Sequence, residues 1–213
     1  MKLLIATTNA GKVQEFRDLL GRDRFEWSDL KSFPDAPDVE ETGRTFRENA
    51  CLKASAYARH TRCWALADDS GLEVDALGGK PGVHSARWAQ MHERGAGDSA
   101  NNALLLQQIE HVPDDARTAR FVCVLALADE QGRILLTARD TVEGRLLHAA
   151  RGQNGFGYDP LFLVDGFDQT SAEMTGDQKH AISHRGKALR RLQALLTQFV
   201  PGKLPVTETG AAK

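Results

Sequence analysis

Trp64-Ala-Leu-Ala-Asp-Asp-Ser-Gly-Leu-Glu-Val-Asp-Ala-Leu77 starts as a short apolar run and stops abruptly in two adjacent carboxylates, Asp68 and Asp69, then a hydroxyl and a glycine. An apolar run that ends in acids and a tight turn has the pattern of a buried strand delivering carboxylates to a sheet edge. Strand side chains alternate, so Asp68 and Asp69 point to opposite sides. One can face a ligand or a metal while its neighbour is held by the frame. Asp-Ser-Gly is equally ordinary turn chemistry at a surface strand end, and this stretch alone does not choose between the two readings.

The chain has 213 residues, enough for one domain of ordinary size or a two-lobed one with a sizeable core. It is 41% hydrophobic and 26% charged with a formal net charge of −2. There is no bulk basic field to gather nucleic acid, so any phosphate site must be local. Cys51, Cys63 and Cys123 lack paired metal spacing, and read as reduced thiols of a cytoplasmic protein. The opening Met1-Lys-Leu-Leu-Ile-Ala-Thr-Thr-Asn9 turns polar after a short apolar run. It reads as neither a signal peptide nor a membrane span, and no other stretch reaches bilayer-crossing length.

Residues 3–8 predict an internal first strand, and Val13, Phe16, Leu19 and Leu20 share the face of a helix that Gly21 closes. Thr7, Thr8, Asn9, Ala10, Gly11 and Lys12 thus lie at a strand-to-helix junction. Free N–H groups and the helix dipole there favour an anion, although the Walker A spacing is absent. The same residues also suit a plain helix cap with an exposed lysine. Residues 25–30 predict a second strand. Thr45-x-x-Glu48 is a capping box, opening a helix whose buried stripe is Phe46, Ala50, Ala54 and Tyr57. Asn49 and Lys53, four apart, point together toward a site. Glu40 and Glu41, just before this helix, are compatible with simple dipole charges worth up to about 1 kcal/mol.

After the opening stretch, Gly78-Gly-Lys-Pro-Gly82 marks a hairpin or lobe crossover, 89–100 reads as a surface loop, and 101–109 as a short helix. Residues 119–128 are apolar on both faces, as in a central strand. They turn at 129–132 into a returning strand over 134–147, which makes the sheet mixed. No Gly-x-Gly-x-x-Gly follows a strand, which weakens a dinucleotide reading. Asn154-Gly-Phe-Gly-Tyr-Asp-Pro160 leads into a strand over 161–164. Its Phe156 either stacks on a base or plugs the core. Lys179, Ser183, His184 and Arg185 precede or open a final helix carrying Ala188, Leu192, Leu195, Leu196 and Phe199. Cations at a helix N-terminus are unfavourable, which points to a ligand acceptor there. From Pro201 on, a short tail (201–213) reads as loosely ordered.

Five stretches in this order closely resemble the inosine triphosphate pyrophosphatase family: Thr7-Thr-Asn-Ala-Gly-Lys12, Glu40-Glu-Thr-Gly-x-Thr-Phe-x-Glu-Asn-Ala50, Ala67-Asp-Asp-Ser-Gly-Leu72, Gly155-Phe-Gly-Tyr-Asp-Pro160 and Ile182-Ser-His-Arg-Gly186. The match covers about residues 2–199. It implies an α/β, two-lobed fold around a long mixed sheet with flanking helices and an active-site cleft between the lobes, so residues 1–200 would form one domain. It also implies a homodimer, Mg²⁺, and hydrolysis of ITP, dITP or XTP to the monophosphate and pyrophosphate. Carried over, residues 7–12 would bind the triphosphate, with Lys53 adding a second cation. Asp69 would be general base and metal ligand, with Glu41 the second acid near Mg²⁺ and Ser70 beside the metal. Phe156, Gly157, Tyr158 and Asp159 would hold the base, and Lys179, His184 and Arg185 would bind phosphate or the purine 6-oxo edge. The chain departs from the pattern at 89–100 and at Gly176-Asp177.

Mg²⁺ takes oxygen ligands and keeps several waters, so one or two carboxylates suffice. Arg185 can only donate, so it would accept a 6-oxo purine and not the amino group of adenine. Two other readings remain open: a related pyrophosphatase acting on pyrimidine or modified nucleotides, and a nucleotide-binding regulatory module without hydrolysis. The paired acids argue against the latter, since a sensor does not need them.

Overall fold

Leu3, Leu4 and Ile5, all buried, form β1 (Lys2–Ile5) in a computed structural model that describes residues 2–198. Phe199 and the expected tail 201–213 lie outside the described residues. Asn9 caps α1 (Ala10–Leu20) by accepting the Lys12 N–H at 3.2 Å, and Gly21 ends it with φ of 96°. β2 (Glu26–Asp29) follows. The capping box of Thr45 and Glu48 then opens α2 (Phe46–Thr61), whose Phe46, Ala50, Ala54 and Tyr57 are buried as their spacing requires. Next come β3 (Trp64–Val74), α3 (Trp88–Met91), α4 (Asp98–Gln108), β4 (Thr118–Ala128) and β5 (Ile134–Leu146). β6 (Phe162–Val164), α5 (Gly176–Ile182) and α6 (His184–Gln198) complete the described chain.

The strands form one sheet in the order β2-β1-β3-β4-β5-β6. β1 lies parallel to β2 and β3, whereas β3 through β6 are antiparallel. The mixed sheet expected from the sequence is therefore present. Two hydrophobic bodies share it. At one end, Leu3, Ile5, Leu66, Leu125 and Leu127 pack under α1 and α6, while Leu4, Ala65, Ala67, Val124 and Ala126 pack under α2 on the opposite face. At the other end, Leu72, Val74, Phe121 and Val142 pack with Leu105 and Ile109 from the α4 segment and with Leu161 and Phe162. β3 passes from the first body into the second, and residues 68–71 are the stretch between them.

Three expectations change. The strand does not stop at the carboxylates but continues to Val74, paired throughout with β4 from Ala65↔Ala128 to Val74↔Ala119. β1, by contrast, ends at Ile5 and pairs with β3 only as far as Leu66. The sheet edge is thus created by the neighbour stopping short. Gly71 accordingly makes no turn. A Cβ there would sit 2.5 Å from both Gly82 O and Ser85 Oγ, because the 3-10 helix Gly82–Arg87 lies against the open edge of β3. Ser85 Oγ takes the Leu72 N–H at 2.8 Å and donates to Gly82 O at 2.6 Å, so the missing ladder partner is replaced by a hydroxyl.

Residues 89–100 are not one surface loop. α3 buries Trp88 and Ala89, and α4 starts at Asp98, three residues earlier than the sequence suggested. Asn101 ties the two by accepting the Ala89 N–H at 2.8 Å. Polar composition concealed contacts that are made through main-chain groups.

Arg117, 2% exposed, holds the second body together. It donates from Nε to Leu146 O at 2.8 Å, from Nη1 to Ile109 O at 2.7 Å and from Nη2 to Leu147 O at 3.0 Å. Arg117→Leu should lower unfolding free energy by about 3 kcal/mol, because buried carbonyls lose their donors. Arg117→Lys should recover little, since an ammonium cannot reproduce the planar fork. Urea denaturation of the three proteins checks this.

Candidate active site

Alternation along β3 puts Asp68 on the face of α1 and α6 and Asp69 on the face of α2. Asp68 is 6% exposed and Asp69 7%, and each meets its own cations. Lys12 Nζ reaches both Asp68 oxygens at 3.1 and 2.8 Å, and Arg185 Nε lies 3.6 Å from Oδ2. Ser70, on the same side, donates to Asp68 Oδ2 at 3.3 Å. Burial would push the Asp68 carboxyl up, but the charges of Lys12 and Arg185 hold it well below the usual range. Arg185 is also buried and lies 3.5 Å from Glu15 of α1. These acids explain how α6 tolerates a cation in its first turn.

On the opposite face Lys53 Nζ joins Asp69 Oδ1 at 2.9 Å to Glu41 Oε1 at 2.6 Å. Asn49, one turn earlier on α2, donates to Asp69 Oδ2 at 3.3 Å and accepts the Gly43 N–H at 2.8 Å. Arg87, from the 3-10 helix, lies 3.4 Å from Glu41 Oε2. Here the balance goes the other way. Burial raises the Asp69 carboxyl above the ordinary aspartate value, Lys53 opposes this and Glu41 adds to it. Two adjacent carboxylates are therefore shifted in opposite directions: Asp68 down, Asp69 up. Two oxygen-bearing acids converging on one ammonium suit a hard divalent cation that retains waters. Among the described residues no group of three or more His, Cys, Asp or Glu could hold a metal.

The junction of residues 7–12 adjoins Asp68 through Lys12. Thr8, Asn9, Ala10 and Gly11 are exposed there, and Thr7 Oγ1 accepts the Asn9 N–H at 3.2 Å. Leu66 O accepts the Ala6 N–H and Leu72 N–H goes to Ser85, so both point away from β4. By the same alternation the main-chain groups of Asp68 and Ser70 face the open edge.

Further along this face lies a narrow, open-mouthed pocket lined by Phe121, Val142, Val164, Met174 and Ile182 and by the polar Asp159, Ser171, Lys179, Ser183 and His184. Phe121 pairs in register with Leu72, four residues from Asp68, or about 13 Å at strand spacing. His184 stacks on Phe121 with centroids 5.2 Å apart. Burial and the neighbouring Arg185 and Lys179 push its imidazole well below its usual value, so it is neutral, and Nδ1 has no partner among the described residues. Lys179 pairs with Asp159 and lies 5.5 Å over the Phe156 ring, which is 59% exposed at the rim.

The structure thus gathers Lys12, Asp68, Ser70 and Arg185 on one face, Glu41, Lys53 and Asp69 on the other, and Phe156, Asp159, Lys179 and His184 around the pocket. Phe156 does not plug the core. Tyr158 does: it is 2% exposed and its hydroxyl donates to Ser85 O at 2.9 Å. Gly157 lies in the same loop. The Arg185 guanidinium is turned to Asp68 and Glu15, and the pocket is lined instead by its neighbour His184. Glu40 is exposed, which leaves Glu41 as the acid of the pair that enters the site. Arg87 was missed because nothing local distinguishes it; it reaches Glu41 across 46 residues only through the packing of its helix on β3.

The fold and site define a two-lobed α/β protein with charged clusters on both faces of β3 and a pocket further along one of them. The chain belongs to the Ham1 family, whose sequence model matches residues 3–195. It is 52% identical over 200 residues to a dITP/XTP pyrophosphatase of Exiguobacterium sibiricum, covering 94% of this chain and 99% of that one. Among solved structures it is similar to a HAM1 protein from Coxiella burnetii, with TM-score 0.85, 40% identity and coverage of 93% and 100%. A nucleoside-triphosphatase / dITP/XTP pyrophosphatase from Mycobacterium abscessus gives TM-score 0.75, 43% identity and coverage of 90% and 98%.

The two carboxylates should respond differently to substitution. Asp68→Ala strands Lys12 and the buried Arg185 and should cost about 3–5 kcal/mol of stability. Asp69→Asn keeps the shape and removes a carboxylate whose ionisation burial opposes, and should cost about 1 kcal/mol or less. Thermal and urea unfolding of both variants measures the contrast.

Proposed function

We propose that this protein hydrolyses deaminated purine nucleoside triphosphates, dITP, ITP and XTP, at the α–β phosphoanhydride, releasing the monophosphate and pyrophosphate. The observation that carries the reading is the seam itself. Asp68 with Lys12 and Arg185 lies beside an exposed helix start at one end of one face of β3, Asp69 with Lys53 and Glu41 lies behind it on the other face, and a pocket with a neutral imidazole lies further along the first face. About 13 Å along a strand is a span that a purine and its phosphates can bridge. The names of the relatives support the same chemistry.

In this reading the base enters the pocket beside Phe121 and His184, with Phe156 offering its face at the rim. A neutral imidazole can present either a donor or an acceptor to a purine edge. The phosphates run toward residues 7–12. Lys12 and Lys53 already sit among carboxylates, so an incoming phosphate exchanges one anionic partner for another without moving a bare cation through the protein. Asp69 is the group that accepts a proton from the attacking water. Asp68, paired with Lys12 and Arg185, sets the field around it. Glu41 and Asp69 would hold Mg²⁺, which when bound neutralises phosphate charge and lowers the pKa of coordinated water.

Incubation with ITP and Mg²⁺ in H₂¹⁸O should yield pyrophosphate free of label and IMP carrying it. Orthophosphate as the only phosphorus product, or label in pyrophosphate, would reject the assigned bond and the assigned attack. Asp69→Asn should lower turnover at least about a hundredfold while its far-UV circular dichroism matches the parent protein. Near-normal turnover would remove Asp69 from the role of base.

A further inference from the structure

The loop carrying Phe156 is fastened from a helix outside the pocket. α4 presents Asp98 and Asn102 on one face, four residues apart. Asp98 Oδ2 accepts the Gly157 N–H at 2.6 Å, and Asn102 Nδ2 donates to Gly157 O at 2.9 Å. Both main-chain groups of one residue are thus held by one helix. Gly157 has φ of 63°, a conformation that side-chain-bearing residues rarely adopt. Its neighbours are fixed too: Phe156 N–H goes to Asp159 Oδ2 at 2.9 Å, and the Tyr158 hydroxyl goes to Ser85 O. Phe156 is left with a fixed backbone and a ring that is mostly exposed.

An exposed aromatic ring on a glycine-flanked loop gains little by being there; unclamped, such a loop samples many orientations. A ring presented in one orientation binds a flat ligand with less ordering cost. We propose that Asp98 and Asn102 are positioning residues for recognition of the nucleobase, acting through Gly157 to hold Phe156 as a preset stacking face. The inference rests on the substrate reading above. It assigns part of nucleobase affinity to a helix that lines neither the pocket nor the carboxylate seam. It also gives a use to Asp98, in a stretch whose composition suggested only surface, and to Asn102 in the helix expected to follow.

The test separates base recognition from phosphate recognition. Affinity for IMP, which carries the base, and for pyrophosphate, which does not, is measured by calorimetry in the parent protein and in Asp98→Ala, Asn102→Ala and Asp98→Asn. The two alanine variants should bind IMP about tenfold more weakly, the loss expected for one productive interaction, and pyrophosphate unchanged. Asp98→Asn keeps an acceptor oxygen without the charge and should stay within about threefold of the parent. Deuterium exchange over residues 154–158 should quicken in the alanine variants alone. Equal weakening of both ligands, unchanged IMP affinity with quickened exchange, or no restoration by asparagine would overturn the proposal. Absence of IMP binding in the parent would instead remove the substrate reading, and unchanged exchange in the variants would show separately that the clamp itself is not there.

Discussion

Two consecutive residues of a β-strand cannot face the same side, and at Asp68 and Asp69 this rule operates where neither face is open water. Each carboxylate is buried against a different helix layer, and each must find compensation there. Asp68 finds Lys12 and Arg185, while Asp69 finds Lys53 and Asn49. Lys53 is felt by both carboxylates, but the close partners of each differ, so the two are shifted in opposite directions although their Cα atoms are neighbours. The remaining features of the site follow from supplying those partners.

β3 can carry such residues because it belongs to two hydrophobic bodies at once. Leu66 and Ala67 are anchored in the first and Leu72 and Val74 in the second. The four residues between need not contribute apolar area. β1 stops at Ile5, which exposes the edge of β3 at that point, and the 3-10 helix Gly82–Arg87 closes it again further on. A central strand with a short neighbour yields a gap in the ladder, flanked by rigid structure on both sides. Function is placed in a scaffold that the cores hold still.

Much of the fold could be read from local pattern. The apolar run of β4, the capping box of α2, the stripe of Phe46, Ala50, Ala54 and Tyr57, and the antiparallel pair of β4 and β5 all rest on periodicities of two or 3.6 residues, and all are present. Asn49 and Lys53 were legible for the same reason, as helix neighbours aimed one way. What misled was Asp-Ser-Gly: the sequence looks like a turn, whereas the strand continues and the glycine makes room for Ser85. The α3–α4 region misled likewise, since Asn101 stabilises it through backbone groups that have no sequence signature.

By itself the sequence determined the alternation, the helix starts and the residue types capable of the chemistry, because these depend on spacing along one chain. It determined that Asp68 and Asp69 diverge. Only the tertiary structure decided which cations each one meets, that Arg87 completes the Glu41 side, that Arg185 serves Asp68 while His184 lines the pocket, and that α4 grips Gly157. Those outcomes depend on contacts between residues dozens of positions apart. Such contacts are set by how the two hydrophobic bodies pack about β3, and spacing along the chain carries no record of that packing.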